Sequence, residues 1–209
     1  MKGKFLTIEG VEGVGKSTNL QSIKQILENR NIDFIATREP GGTLIAEKIR
    51  TLLLEHHEEK LCELSELLLV FAARAQHLET VIKPALEIGT WVLCDRFTDA
   101  TYAYQGGGRG LSSKTISLLE NLTQGSLRPD FTLILDLDPR IGLTRAKNRG
   151  ELDRIEIEKT AFFEKVRDTY LTISNQEPER CKIVDASRSI DAVSNDVTEH
   201  LMTFIRENN

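Results

Sequence analysis

Residues 10–17 have the types and spacing needed to hold the phosphates of a nucleotide. They read Gly-Val-Glu-Gly-Val-Gly-Lys-Ser, a full match to the pattern GxxxxGK[ST]. In this pattern glycines let backbone N–H groups turn towards phosphate oxygens, the lysine reaches the terminal phosphates and the hydroxyl can ligate Mg²⁺. The match follows an apolar run and precedes a helical pattern, whose positive dipole end favours anions. The sequence therefore predicts a nucleoside triphosphate site at Gly10, Val11, Glu12, Gly13, Val14, Gly15, Lys16, Ser17 and Thr18.

Two further segments could bind a second phosphate. Residues 37–43 place Arg38 and a Pro-Gly-Gly turn before a predicted helix, which is typical of a phosphate cradle but also of an ordinary strand–helix turn. After another apolar run, Asp95 could organise Mg²⁺ waters and Arg96 could grip a phosphate. A surface ion pair would explain these last two residues as well.

Residues 145–154 carry four basic side chains around one glycine. The segment follows a predicted strand and helix, so it could be a mobile lid that closes over phosphates. A solvated helix end is the alternative, because runs of surface charge are common.

Short apolar runs alternate with longer helical patterns along the chain. The predicted strands are residues 5–8, 34–37, 91–94, 131–137 and 182–184. This alternation predicts an α/β fold with a parallel sheet and helices on both faces, and ligands at the carboxyl ends of the strands. The predicted helices are residues 17–29, 43–54, 63–86, 112–123, 139–148, 159–174 and 190–207, with Pro84 expected to end or kink the third.

Composition restricts the class of protein. A length of 209 residues suits one α/β domain, and we expect a single domain over 1–209. The net charge of −5 argues against a protein that coats nucleic acid. Three widely spaced cysteines and the lack of a signal-like N-terminus predict a cytoplasmic protein, and the longest apolar run, residues 67–73, is too short for a membrane span.

The phosphate loop alone would fit a GTPase switch, a motor or a small phosphotransferase. The guanine-reading motif Asn-Lys-x-Asp does not occur in the sequence. Motors usually need a larger domain and a polymer partner. A small phosphotransferase is therefore the leading interpretation.

Taken together, the motifs strongly resemble bacterial thymidylate kinases over about residues 3–187. The resemblance rests on the phosphate loop with Glu12 and on the segments 37–43, 71–76, 95–97, 103–110 and 149–154. It implies a three-layer P-loop nucleoside monophosphate kinase fold with a five-stranded parallel sheet and a lid at about 145–156. It also implies a homodimeric cytosolic enzyme that converts ATP and dTMP to ADP and dTDP with Mg²⁺.

The resemblance assigns roles on the donor side. Lys16, Asp95 and Arg96 are the expected catalytic residues near the phosphates, and Ser17 and Asp95 (the latter through water) are the expected metal site. Gly13 stands where some members carry a helper arginine, so this chain resembles the type whose arginine is in the lid. The lid candidates are Arg149 first, then Arg145 and Arg154. Ala186 is expected against the adenine. Glu156 is expected either to contact Mg²⁺ or the acceptor through water, or to be a helix N-terminal acid.

It also assigns the acceptor side. The expected dTMP contacts are Glu12 at the 3′-hydroxyl, Arg38 and Arg96 at the monophosphate, Arg74 at a thymine carbonyl, Thr101 and Gln105 at the base edge, and Tyr104 at the sugar. Phe71 is expected either to stack on the base or to pack in the core. Val70, Phe97 and Ala100 depart from the residues common in the family, which affects base recognition and not the reaction class.

Two other functions stay open at this point. Another nucleoside monophosphate or deoxynucleoside kinase would share the donor site, and only the acceptor pocket would differ. An ATP-dependent switch protein would lack the second phosphate site.

The acceptor needs no general base, because the second pKa of a phosphate monoester is about 6 and the group is already anionic near pH 7. Catalysis is then expected from positioning and charge stabilisation.

Overall fold

Five short apolar segments form one parallel sheet in the computed structural model, which describes residues 3–148 and 150–208. The strands are β1 (Phe5–Glu9), β2 (Phe34–Arg38), β3 (Trp91–Asp95), β4 (Phe131–Asp136) and β5 (Cys181–Asp185). They lie in the order β2-β3-β1-β4-β5, with Ile8 opposite Asp95 on one side and Leu133 on the other. The predicted parallel sheet is confirmed, with strand ends within one residue of the predicted ones.

Helices connect the strands. They are α1 (Lys16–Asn29), α2 (Leu44–Leu54), α3 (Glu63–His77), α4 (Lys83–Glu87), α5 (Thr98–Thr101), α6 (Ser113–Gln124), α7 (Pro139–Lys147), α8 (Thr160–Gln176) and α9 (Ile190–Asn208). Local sequence explains several starts: the Thr43 hydroxyl accepts from the Ala46 N–H, and the Ser112 hydroxyl caps α6 in the same way. At α7 the Asp138 carboxylate caps the first turn and proline occupies the first helical position.

Two π-helical segments are the main departures from the predicted helices. The predicted helix over 63–86 is continuous, but Leu78–Ile82 is a π-helix that joins α3 to α4 just before Pro84. A proline cannot donate to the preceding turn, which accounts for a local change of helical hydrogen bonding there. The sequence patterns did not predict α5 or the π-helix Tyr102–Gly108, whose three glycines disfavour helix.

Helices cover both faces of the sheet. Phe5 and Leu6 point to opposite faces, because successive residues of a strand alternate. Phe5 packs in a cluster with Leu78 and Ile82, whereas Leu6 belongs to a larger cluster that includes Ile23 of α1 and residues of α8 and α9. The sheet is therefore the middle of three layers.

The loops after β1, β2 and β3 meet at the carboxyl edge of the sheet. These strands are neighbours, and the backbone N–H of Glu39 donates to the Asp95 carbonyl oxygen just past their ends, at 2.9 Å. The phosphate loop, the segment 37–43 and the Asp95-Arg96 pair thus lie side by side, as expected for a ligand site of a parallel sheet.

Candidate functional site

A cavity of about 570 Å³ opens at this edge of the sheet. The predicted site residues in its lining are Glu12, Gly13, Val14, Gly15, Lys16, Ser17, Thr18, Arg38, Arg74, Asp95, Arg96, Thr101, Tyr104, Gln105, Arg145, Arg154 and Glu156. Gly10, Val11, Phe71 and Ala186 lie outside the lining, and Arg149 lies outside the described residues. Residues that are far apart in the chain therefore share one cavity.

Lys16 lies inside the phosphate loop. Its Nζ atom donates to the carbonyl oxygens of Gly10 and Val11, each at 3.0 Å, which explains how these two residues serve the site from outside the lining. Removal of the ammonium group from water, followed by repulsion from the nearby Arg96, lowers its pKa to about 8. A bound phosphate would favour the charged form, because it brings negative charge to this lysine.

Gly13 has no room for a side chain. A Cβ atom there would lie 2.0 Å from the carbonyl oxygen of Gly142 in α7, and its φ of 71° is one that other residues rarely adopt. An arginine at this position of the loop would collide with the helix backbone. This packing agrees with a helper arginine that comes from another part of the chain.

Glu12, Arg96 and Tyr104 form a connected polar group between the phosphate loop and β3. Arg96 Nη2 donates to Glu12 Oε1 at 2.8 Å, and the Tyr104 hydroxyl is 2.8 Å from both carboxylate oxygens. The guanidinium carbon of Arg96 lies 4.8 Å from the Tyr104 ring centroid. Glu12 thus bridges the donor loop to residues expected at the acceptor.

The backbone and a buried tyrosine hold Arg96 in place. Its φ is 69°, an uncommon value for a residue with a side chain, and its N–H donates to the Ile8 carbonyl oxygen at 3.0 Å. Arg96 Nη1 donates to the Tyr170 hydroxyl at 3.2 Å, and that hydroxyl donates to Glu9 Oε2 at 2.7 Å. Such backbone strain is often found at functional sites.

Three arginines line the cavity near the turn after β2. Arg38 forms two hydrogen bonds to Glu47, at 3.2 and 2.8 Å, and Arg96 approaches from β3. The third, Arg50 of α2, donates to the Pro40 carbonyl oxygen at 2.9 Å, and burial followed by repulsion from Arg38 lowers its pKa. Guanidinium groups suit phosphate oxygens, so this cluster is a candidate phosphate site.

Arg74 has one buried nitrogen without a hydrogen bond. Its Nε donates to Glu39 at 2.7 Å and its Nη2 to Thr101 Oγ1 at 2.9 Å, whereas Nη1 has no partner among the described residues. A buried donor without a partner costs about 1–3 kcal/mol. An acceptor oxygen on a bound ligand would remove that cost.

Phe71 packs in the core, which corrects the expectation that it stacks on a ligand. Its ring belongs to a cluster with Leu67 and Ile116, and it lies outside the cavity lining. The spacing of residues along α3 explains the difference, because Phe71 falls on the stripe that faces α6. The Phe71 ring still contacts Arg74, whose guanidinium carbon is 5.0 Å from the ring centroid.

Other apolar residues line the cavity instead. Val70, Phe97 and Ala100, the three positions that depart from the family, are all in the lining. The guanidinium carbon of Arg74 lies 4.9 Å from the Phe97 ring centroid. These three positions therefore border the space that a ligand would occupy, and their effect on base recognition stays a prediction.

The lid segment is attached to the helices beside the cavity. Arg154 Nη2 donates to Glu66 at 2.7 Å and Nε to the Leu53 carbonyl oxygen at 2.8 Å. Arg154 therefore anchors the lid here, and a catalytic role for it stays a prediction. Glu156 accepts from the Asp153 N–H at 3.1 Å in a turn before α8 begins at Thr160, so it is not a helix N-terminal residue.

Glu66, which the sequence analysis did not single out, connects three parts of the site. It accepts from Gln105 at 2.9 Å, from Arg109 at 3.1 Å and from the lid residue Arg154. Burial would raise its pKa, but the hydrogen bonds, first that from Arg109, lower it overall. A glutamate on the buried face of an otherwise apolar helix was the signal that could have indicated it.

The oxygens near the phosphate loop are of the kind that Mg²⁺ prefers. Asp95 Oδ1 is buried and has no hydrogen-bond partner among the described residues, and the Ser17 hydroxyl lines the same cavity. Hard oxygen ligands and a carboxylate that can hold metal-bound water fit this ion.

Away from the cavity, Ala186 follows β5, and its N–H donates to the Asp136 carbonyl oxygen at 2.8 Å.

Comparisons with known proteins agree on one family. The sequence model of the family described as "Thymidylate kinase" matches residues 8–197. A thymidylate kinase from Teredinibacter turnerae is 55% identical over 205 residues, covering 98% of this chain and 100% of that protein. One from Pseudomonas putida is 56% identical over 94% of each chain. The crystal structure of thymidylate kinase from Ehrlichia chaffeensis is 32% identical with a TM-score of 0.76, covering 97% of this chain and 99% of that one.

Proposed function

The chain belongs to the thymidylate kinase family, and we propose that its reaction, the phosphorylation of dTMP to dTDP with ATP, takes place in the cavity described above. The observation that carries the proposal is the geometry of two phosphate sites in one cavity. The phosphate loop and the arginines Arg38, Arg50 and Arg96 line the same cavity, and Arg96 contacts Glu12 of the loop. A transfer between two phosphates needs this arrangement.

The residues act by positioning and by charge. The loop amides and Lys16 hold the ATP phosphates, and the arginine cluster holds the phosphate of dTMP. Arg96 lies next to Glu12 of the loop, so it can contact the acceptor while the γ-phosphoryl approaches. Because the acceptor oxygen is already anionic, no residue has to remove a proton. Catalysis then comes from positioning of the two phosphates and from stabilisation of the charge on the transferring group.

The same cavity explains recognition of the nucleoside. Arg74 Nη1 is the donor for a thymine carbonyl, since its other nitrogens already have partners. Thr101 and Gln105 complete the base edge. Glu12 accepts the 3′-hydroxyl, and the Tyr104 ring lies against the sugar and disfavours a 2′-hydroxyl.

Mg²⁺ would be held by the Ser17 hydroxyl and, through water, by Asp95, with Glu156 as a further candidate. Bound there, the ion supplies positive charge that neutralises the transferring phosphates. Residues 145–156 form the lid of a single domain over 1–209, and Arg149 and Arg145 contribute positive charge over the transferring group. The packing at Gly13 supports an arginine in the lid, because the phosphate loop has no room for an arginine at position 13.

A coupled ADP-release assay across dTMP, dUMP, CMP, GMP and thymidine tests the reaction and the acceptor. We expect dTMP to be preferred, and a clear preference for another acceptor would refute the choice. Arg96→Ala should abolish turnover and leave ATP affinity within about twofold, because the residue serves the acceptor and the transition state. Retention of a near-normal rate would contradict the role of Arg96.

The chain acts as a homodimer in this proposal, through a face formed by α2, α3 and α6. Helix α3 packs against both of the others, and exposed leucines lie one turn apart on α3 and α6. Leu118 and Leu122 are 72% and 83% exposed and lie one turn apart, and contiguous exposed apolar residues indicate an interaction site. Sedimentation of Leu122→Asp should show monomers, whereas Ile88→Asp, equally exposed but away from α6, should remain dimeric.

The compartment is the cytoplasm in this proposal, where the nucleotide substrates occur. The cysteines Cys62, Cys94 and Cys181 are all free thiols, which suits a reducing environment. No helix in the described parts of the chain has the length and apolar character to cross a membrane.

A further inference from the structure

A buried chain of hydrogen bonds connects Arg74 to Thr37 of β2 through Glu39, which borders the cavity, and His77, which does not line it. Glu39, 4% exposed, accepts from Arg74 Nε at 2.7 Å through one oxygen and lies 3.0 Å from His77 Nδ1 through the other. His77, which is fully buried, is 2.7 Å from Thr37 Oγ1 through Nε2. Neither Glu39 nor His77 has a role in the phosphate chemistry.

The chemistry of the three groups determines the direction of these bonds. A carboxylate only accepts, so His77 Nδ1 carries a hydrogen and donates to Glu39. In a neutral ring Nε2 then accepts, and the Thr37 hydroxyl donates to it. Each polar atom of the imidazole therefore has a partner, and the ring holds the second oxygen of Glu39 in a fixed direction.

The surrounding backbone leaves little room for these groups to move. A Cβ atom at Gly42 would lie 2.4 Å from His77 Nε2 and 2.6 Å from Thr37 Oγ1. Next to this turn, the Glu39 N–H donates to the Asp95 carbonyl oxygen at 2.9 Å, which fixes the backbone of Glu39 to the end of β3. The carboxylate thus has a defined place between α3 and the sheet.

Contacts hold the guanidinium of Arg74 and leave one of its nitrogens without a partner among the described residues. Two of its nitrogens bond to Glu39 and Thr101, and its guanidinium carbon lies 5.0 and 4.9 Å from the ring centroids of Phe71 and Phe97. Nη1 is the remaining nitrogen. A guanidinium only donates, so a fixed Nη1 can donate to a carbonyl oxygen and cannot form a hydrogen bond with an amino group that also donates.

We propose that Glu39 and His77 are positioning residues that determine base specificity through Arg74. Glu39 prevents rotation of the guanidinium, and His77 holds Glu39. A pyrimidine with a carbonyl at the position next to Nη1 is accepted, and one with an amino group there, as in cytosine, is rejected. The inference rests on the proposed function, in which Arg74 contacts the base.

The test compares kcat and KM for dTMP and dCMP in the full-length enzyme. Glu39→Gln keeps the shape but removes the charge, and we expect the dTMP:dCMP ratio of kcat/KM to fall about tenfold through KM, with ATP KM within about twofold. His77→Leu should lower the ratio as well. His77→Asn keeps a donor near the position of Nδ1 and should retain the wild-type ratio within about twofold.

Two controls separate positioning from general loss of stability. Glu120→Gln removes another buried carboxylate, which accepts from Tyr102 and Arg128 outside the cavity, and should leave the ratio unchanged. In the double variant Glu39→Gln/Arg74→Gln, the ratio should equal that of Arg74→Gln alone, since Glu39 acts only through Arg74. Thermal unfolding of each variant confirms that it is folded.

The outcomes distinguish this inference from the function on which it rests. If folded Glu39→Gln and His77→Leu retain the wild-type ratio while Arg74→Gln loses it, the positioning role is refuted and the base contact stands. A fall in His77→Asn as large as in His77→Leu would refute the role of His77. If Arg74→Gln itself retains the ratio, the base contact of Arg74 is refuted.

Discussion

Replacement of Gly13 by alanine should destabilise the protein through one identifiable contact. The added Cβ atom would lie 2.0 Å from the Gly142 carbonyl oxygen and 2.7 Å from its carbonyl carbon, so backbone must shift. Such overpacking costs about 1–3 kcal/mol. The φ of 71° adds about 1–2 kcal/mol for a residue with a Cβ atom. The expected loss is therefore about 2–5 kcal/mol in the free energy of unfolding.

Gly110 provides a matched control for the backbone term. Its φ is 80°, and a Cβ atom there would meet nothing within 4 Å. Gly110→Ala should therefore cost only about 1–2 kcal/mol. The difference between the two variants, about 1–3 kcal/mol, isolates the contact between the phosphate loop and α7.

Urea unfolding of both variants, followed by circular dichroism, measures these free energies. The Tm of Gly13→Ala should fall by about 4–20 °C, given about 2–4 °C per kcal/mol for a chain of this length. The KM for ATP should rise too, because the loop moves to relieve the contact. A loss no larger than that of Gly110→Ala would refute the argument that α7 excludes a side chain from this position.

Three other predictions concern charge. Arg149→Ala should lower kcat strongly with little change in dTMP affinity, the pattern of an interaction made mainly in the transition state, and a pure KM effect in steady-state assays would contradict it. Burial, followed by repulsion from Asp99, raises the pKa of Glu9 to about 8. Between pH about 4.5 and about 8 the folded state holds a proton that the unfolded state has lost. The free energy of unfolding should therefore fall over this range, by up to about 5 kcal/mol. Urea unfolding of Glu9→Gln should show a weaker dependence of this free energy on pH. The pKa of Lys16, lowered to about 8 by burial and by Arg96, means that ATP binding should take up a proton above about pH 8, and calorimetry in two buffers should detect it.

The amino-acid sequence was enough to predict the architecture. Alternating apolar runs and helical patterns indicated the parallel sheet, because each short run must be buried between helices. The order of the strands was not predicted, and neither were the π-helix at Leu78–Ile82 and the short helical stretch from Thr98. Those features depend on how chain segments pack against one another, which local propensity does not describe.

The sequence was also enough to predict the phosphate loop, because its function depends on local backbone structure. The phosphate loop is a local structure: its glycines, its lysine and its hydroxyl act within one turn, so spacing along the chain is sufficient. The resemblance of several such motifs to one family was confirmed by the family match over residues 8–197.

Contacts between distant residues required the tertiary structure. Arg50 belongs to no motif, and only the packing of α2 brings it into the cavity lining. Phe71 fitted either the core or a stacking role until the packing of α3 against α6 placed it in the core. Glu39 meets Arg74 across 35 positions of the chain, and His77 meets Glu39 across 38. The direction of a side chain and the partners it meets depend on packing over the whole domain. A pattern along one segment cannot indicate which other segments complete the site.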